Sequence, residues 1–187
     1  SSRFIASVFD AGIVDLGQGP QPFLVMEFVD GRPLDDFVQR SPGTLQDRLQ
    51  LFLKICEGIH VAHNQGVIHR DIKPSNILVT SDGNPQICDF GIARILDATA
   101  DGSTNETALT KSSEIVGTLQ YMSPEHINGP HNQIDAQADV YSLGMVLFEL
   151  VTGKKPYDTS QQTVFEAIET VRDTAAPLAR TLDRTLP

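Results

Sequence analysis

Asp71, Lys73 and Asn76 lie close together in the run Val67-Ile68-His69-Arg70-Asp71-Ile72-Lys73-Pro74-Ser75-Asn76-Ile77-Leu78, and Asp89 opens a second acidic turn, Asp89-Phe90-Gly91. The set comprises a carboxylate able to take a proton, a compact cation and two oxygen side chains of the kind hard divalent ions prefer. Such a set suits phosphate chemistry, where protein groups align reactants and neutralise charge rather than form bonds. Taken singly, Asn76 reads as a turn residue and either aspartate as a cap. Their joint occurrence at short fixed intervals outweighs that reading.

Several elements must hold these residues. From Thr44 the apolar positions Leu45, Leu49, Phe52, Leu53, Cys56 and Ile59 follow helical spacing, Thr44 with Asp47 forms a capping box, and Gly66 supplies a stop. That helix delivers the chain directly into the 67–78 run. Ile77 to Val79 and Gln86 to Cys88 then flank Ser81-Asp82-Gly83-Asn84 as a short hairpin, so Asn76 and Asp89 border one rigid turn. Upstream, Val8 to Val14 and Phe23 to Phe28 read as strands joined by Gly17-Gln18-Gly19-Pro20, a two-stranded hairpin that is marginal by itself. Between Leu96 and Glu114 the composition is polar and aperiodic, which predicts a mobile loop. Ala136 to Thr152 is apolar on nearly every side, which predicts a buried helix, and an amphipathic helix is expected near Gln161 to Val171. There are no internal repeats.

At 187 residues and 40% hydrophobic content the chain is long enough for one domain with a core. Its formal charge of −10 argues against a nucleic-acid or anionic-membrane surface, both of which reward clustered Lys and Arg, while an acidic surface favours basic-flanked substrates. Cys56 and Cys88 give no disulfide framework and suit a reducing compartment. The longest apolar run, Val140 to Val151, contains Ser142 and Glu149 and is too short to span a bilayer. The expected location is cytoplasmic, with an anchor elsewhere in a longer protein left open. Asn105-Glu106-Thr107 matches a glycosylation acceptor by chance spacing. His60 and His63 do not make a zinc site with His69, because no fourth ligand or Cys pair lies nearby. Nothing in the pattern assigns an oligomeric state.

The ordered set of motifs resembles the protein kinases of the serine/threonine-specific, bacterial type. His69-Arg70-Asp71 and Asp89-Phe90-Gly91 are followed by Gly117-Thr118-Leu119-Gln120-Tyr121-Met122-Ser123-Pro124-Glu125, similar to the family's substrate-docking loop with Ser123 in place of Ala, and by Asp139-Val140-Tyr141-Ser142-Leu143-Gly144. The likeness runs from about Phe4 to beyond Tyr157. It implies an α+β protein-kinase-like fold, with 1–29 as small-lobe strands and hinge, 30–187 as a mostly helical large lobe, and 89–125 as the activation segment. The family's Gly-rich loop, its ATP-clamping lysine and its last helices have no counterpart in these residues, so the expectation is a partial domain that is a poor catalyst by itself.

By the same resemblance, Asp71 serves as base, Lys73 faces the transferred phosphate and marks Ser/Thr specificity, and Asn76 and Asp89 ligate Mg2+, with Mn2+ as an alternative. ATP is the expected nucleotide. Its adenine would meet Met26, Glu27 and Val29 in the hinge and Leu78 beneath the ring. His69 becomes a packing element against Phe90, Asp139 an acceptor for catalytic-loop amides, and Thr118 a bridge between base and lysine. Arg70 implies control through phosphorylation of the activation loop, with Thr110 and Ser112 as acceptors. Competing expectations are a kinase-like scaffold that does not catalyse and a small-molecule phosphotransferase. The intact Asp71, Asn76 and Asp89 weigh against the first, and Lys73 with Gly117-Thr118 against the second.

Overall fold

The computed structural model describes residues 2–17, 19–41, 43–90, 112–128, 135–159, 161–184 and 186. In chain order the elements are β1 (Val8–Asp15), β2 (Pro20–Met26), β3 (Gly31–Pro33), α1 (Leu34–Arg40), α2 (Leu45–Asn64), a single 3-10 turn (Pro74–Asn76), β4 (Ile77–Thr80) and β5 (Pro85–Ile87). After these come α3 (Ser112–Leu119), α4 (Pro124–Asn128), α5 (Ala136–Thr152), α6 (Val164–Asp173) and α7 (Ala179–Leu182).

β1 and β2 form an antiparallel pair, turned by Asp15, whose Oδ1 accepts the amides of Gly17 (2.8 Å) and Gly19 (3.1 Å). A second antiparallel sheet runs β3-β4-β5, with Gly31 opposite Thr80 and Ile77 opposite Ile87. A Cβ on Gly31 would come within 3.1 Å of Leu78 Cβ and the Val79 carbonyl, so a side chain there would need β3 and β4 to part by a few tenths of an ångström. The two sheets are tied at the N-terminus, where Ala6 N–H donates to Ile87 O (3.0 Å) and Ile87 N–H donates to Phe4 O (2.9 Å).

α2 begins as expected, with Thr44 and Asp47 capping each other reciprocally. Its buried face, however, is Leu51, Ile55, Gly58, Ile59 and Ala62, while Leu49 and Leu53 point outward at 40% and 66% exposure. The helix carries apolar residues on more than one face, so periodicity alone does not choose between them. Contact with α5 and β5 does. Gly58 marks that contact, because a Cβ there would sit 2.6 Å from Ile87 Cδ1. The core joins Ile55, Ile59, Ile72, Ile77, Val79 and Ile87 to Val146 and Leu150 of α5. Each such side chain contributes about 1.5–3 kcal/mol by leaving water.

α5 spans the expected residues, but Val140 is 62% exposed, so one of its faces lies outside the core. α3 departs from the expected loop over 112–114. Val116 and Leu119, three residues apart on a helix, bury against Ala167 of α6, and that packing stabilises a helix that composition alone does not announce. Thr110, Gly91 and most of the 89–125 segment lie outside the described residues, as does the side chain of Ser112.

Candidate active site

The run after α2 is held from below by one buried carboxylate. Asp139, in the first turn of α5 and wholly buried, accepts the His69 amide on Oδ2 (2.8 Å) and the Arg70 amide on Oδ1 (2.8 Å). His63 Nε2 lies 2.7 Å from the same Oδ2. Three donors on one buried carboxylate compensate its loss of water. His63 is excluded by the sequence from a zinc site and given no other role. Its position at the end of a helix leading into the His69 run was the available signal, since a buried aspartate there needs donors from somewhere.

His69 is completely buried and its two ring nitrogens have opposite duties. Nδ1 accepts the Asp71 amide (3.2 Å), so it carries no proton, and Nε2 therefore donates to the Cys88 carbonyl (3.0 Å). The ring is neutral. Burial holds its pKa below the ordinary value, against the opposing pull of the Asp139 carboxylate. It also packs on Phe90 with ring centroids 4.5 Å apart. Cys88 closes the knot by donating its own amide to Asn76 O (2.9 Å), so the strand end that leads to Asp89 is fixed against the turn that carries Asn76.

Two non-glycine residues adopt left-handed backbone, Arg70 at φ 68° and Asp89 at φ 56°, and both stand in this site. A conformation that costs on the order of 1 kcal/mol or more persists only where neighbours impose it. At Arg70 the imposing contacts are the flanking amides held by Asp139 and His69. The Arg70 Nε is buried without a hydrogen-bond partner among the described residues.

Asp71, Lys73, Asn76 and Thr118 converge. Asn76 Nδ2 donates to the Asp71 backbone carbonyl (2.8 Å) and to its Oδ2 (3.0 Å), and Lys73 Nζ lies 3.0 Å from the same Oδ2 and donates to Thr118 Oγ1 (3.1 Å). Asp71 Oδ2 is thus occupied twice, and among the described residues Oδ1 has no partner. Asn76 spends its amide nitrogen on Asp71, and its Oδ1, which accepts only a long contact from Ser75 Oγ (3.4 Å), keeps lone-pair capacity for a cation. Asp89 is exposed at the neighbouring strand end. An amide oxygen and a carboxylate, on chain ends joined by the bond from the Cys88 amide to Asn76 O, are donors of the kind a magnesium ion takes.

Met26 ends β2, and Glu27 N–H donates to Ser7 O (2.8 Å), while Gly31 N–H donates to Val29 O (3.0 Å). Among the described residues the Glu27 carbonyl and the Val29 amide have no backbone partner. Leu78 alternates with buried Ile77 and Val79 on β4 and is half-buried opposite Pro33. Segment 120–123 is pinned to α5: Tyr121 OH donates to Glu149 Oε2 (2.5 Å) and Ser142 Oγ donates to Tyr121 O (2.7 Å). Burial pushes the Tyr121 hydroxyl and the Glu149 carboxyl upward in pKa. Glu149 was not singled out in the sequence, because nothing in a helical apolar run marks which acid will face inward.

Fold and site together define a protein kinase domain: residues 15–185 match the family described as Protein kinase domain, and the chain belongs to it. Serine/threonine-protein kinase PknB of Mycobacterium leprae is 38% identical over 174 residues, covering 92% of this chain and 26% of that protein. PknB of Mycobacterium tuberculosis gives the same identity and coverage. The probable serine/threonine-protein kinase PknB of Corynebacterium glutamicum is 39% identical over 159 residues, covering 84% of this chain and 23% of its own length. The chain therefore spans about a quarter of the curated relatives it matches. Among the described residues no helix is long and apolar enough to cross a membrane.

Proposed function

We propose that this chain carries the phosphoryl-transfer site of a protein serine/threonine kinase that uses ATP. The observation that supports this most is the convergence of Asn76, Lys73 and Thr118 on Asp71, with Asp71 Oδ1 left open. On this reading Oδ1 accepts the hydrogen bond, and then the proton, of a Ser or Thr hydroxyl. Lys73 holds the base in place through Oδ2 and offsets charge on the transferred phosphoryl group. Asn76 Oδ1 and Asp89 would hold Mg2+, with Mn2+ as a substitute, and the ion when bound supplies positive charge to the phosphate oxygens. The Glu27 carbonyl and Val29 amide would take the adenine edge, with Met26 and Leu78 bordering it. The relatives' printed names, all serine/threonine-protein kinases, support the choice of acceptor.

The division into 1–29 as small-lobe strands and hinge, 30–187 as large lobe and 89–125 as activation segment belongs to the same reading. So does regulation through Arg70, whose unpartnered Nε suits a phosphate on Thr110 or Ser112. The two free cysteines suit a cytoplasmic setting, where ATP is also found. The test is magnesium-dependent transfer of labelled γ-phosphate from ATP to Ser and Thr of a protein substrate by the full-length protein. Asp71→Asn is expected to lower turnover about 10²–10⁴-fold with its thermal unfolding unchanged. Equal turnover in the variant would sink the proposal and return the chain to a binding role.

A further inference from the structure

A cavity of about 790 Å³ opens beside the site, and its wall includes Gly117 and Gln120 on one side and Lys154, Lys155, Asp158 and Thr159 on the other. Gly117, in its wall, is the chain neighbour of Thr118, whose hydroxyl accepts from Lys73. Both lysines are exposed and neither makes a close ion pair among the described residues, although Lys155 lies near enough to the Glu149 carboxylate to favour its ionised form; Asp158 is already engaged. In a chain of net charge −10 this is a local reversal of sign.

Gln120 adds a second, independent requirement. It is 3% exposed, its Nε2 donates to Thr159 Oγ1 (2.8 Å), and its Oε1 has no partner among the described residues. An unpaired amide end in a cavity wall calls for a complementary hydrogen-bonding group. A fully deprotonated anion such as sulfate could satisfy the lysines but would leave an amide oxygen without a donor. A polypeptide meets both demands, because its backbone N–H and C=O complement either orientation of the Gln120 amide while its side chain carries the negative charge.

We infer that this cavity is a subsite for the protein substrate and selects an acidic residue, Asp, Glu or a phosphorylated side chain, close in sequence to the acceptor hydroxyl. Lys154 and Lys155 are its specificity-determining residues. This deepens the kinase reading and rests on it. It also reverses the expectation from overall charge, under which basic-flanked substrates would be favoured.

The test compares fluorescent Ser peptides, identical except for acidic, neutral or basic flanks, for binding by anisotropy and for kcat/KM with Mg-ATP, using the full-length protein. The acidic peptide is expected to lead the basic one by about tenfold in both readouts, as two partly exposed ion pairs allow. Lys154→Glu with Lys155→Glu, both on exposed side chains, is expected to invert the ratio. Inorganic sulfate at millimolar concentration should compete weakly, since it has no donor for the Gln120 amide oxygen. A ratio that is near unity, or that survives the charge reversal, overturns the subsite. Transfer abolished by Asp71→Asn with a ratio indifferent to the lysines removes the subsite and keeps the kinase. A lysine-dependent ratio in binding, with transfer indifferent to Asp71, removes the kinase reading and keeps an acidic-peptide site.

Discussion

The run from His69 to Asn76 and the β1–β2 hairpin are both short, irregular or edge-like structures, yet they are secured by opposite means. The first is riveted to the core by polar atoms: Asp139 takes two successive amides, His69 bridges Asp71 to Cys88, and Cys88 binds Asn76. The second is held mainly by its own ladder, with Phe9, Ile13 and Leu16 at 69%, 61% and 77% exposure. A loop that carries a converging set of polar side chains must be rigid without being regular, and buried hydrogen bonds supply that where no repeating backbone pattern can. A two-stranded ribbon with exposed apolar side chains derives little from burial, so its contribution to stability is local.

Breaking the rivet should produce the largest structural effect. Asp139→Ala leaves two buried amides and the His63 ring without their acceptor and is expected to cost about 3–5 kcal/mol in urea unfolding. Amide exchange in residues 69–71 should accelerate far more than exchange in β1 and β2. Comparable acceleration in both regions would mean that Asp139 supports the whole chain rather than this loop.

A smaller contrast comes from paired truncations. Ile55→Ala, at a site with no exposure, is expected to cost about 2–5 kcal/mol, whereas Ile13→Ala on the hairpin should cost under about 1 kcal/mol. Equal costs, read from chemical denaturation midpoints, would contradict the division between core and ribbon.

The smallest effect is a pH dependence. Because His69 is held neutral, with its folded pKa below the ordinary 6.5, the unfolded chain binds more protons in mild acid. Its stabilising contribution is complete above about pH 6.5 and declines as pH falls through that value toward the lower folded pKa. His69→Leu, destabilised at neutral pH by the loss of both ring hydrogen bonds, should show a shallower fall in denaturation midpoint between pH 7.5 and 5.5. An unchanged slope would assign the acid sensitivity elsewhere.

Much of this was legible beforehand because the relevant signals are local. Thr44 with Asp47 announced the start of α2, Ser81 to Asn84 announced the β4–β5 turn, and the spacing of Asp71, Lys73 and Asn76 announced a cluster. What stayed hidden depends on partners distant in sequence. Leu49 and Leu53 are as apolar as Leu51 and Ile55, and only the position of α5 and β5 decides which pair is buried. The helix at Ser112–Leu119 needs Ala167 of α6 to cover it, and the link from His63 to Asp139 spans seventy-six residues.

The most direct measurement is calorimetric titration of Mg-ATP into the full-length protein and its Asp89→Asn variant, each with and without a chelator. The account predicts magnesium-dependent uptake that weakens about tenfold or more when the Asp89 carboxylate is removed, with folding intact. ATP binding of equal strength in the variant, or in the absence of the ion, would contradict it.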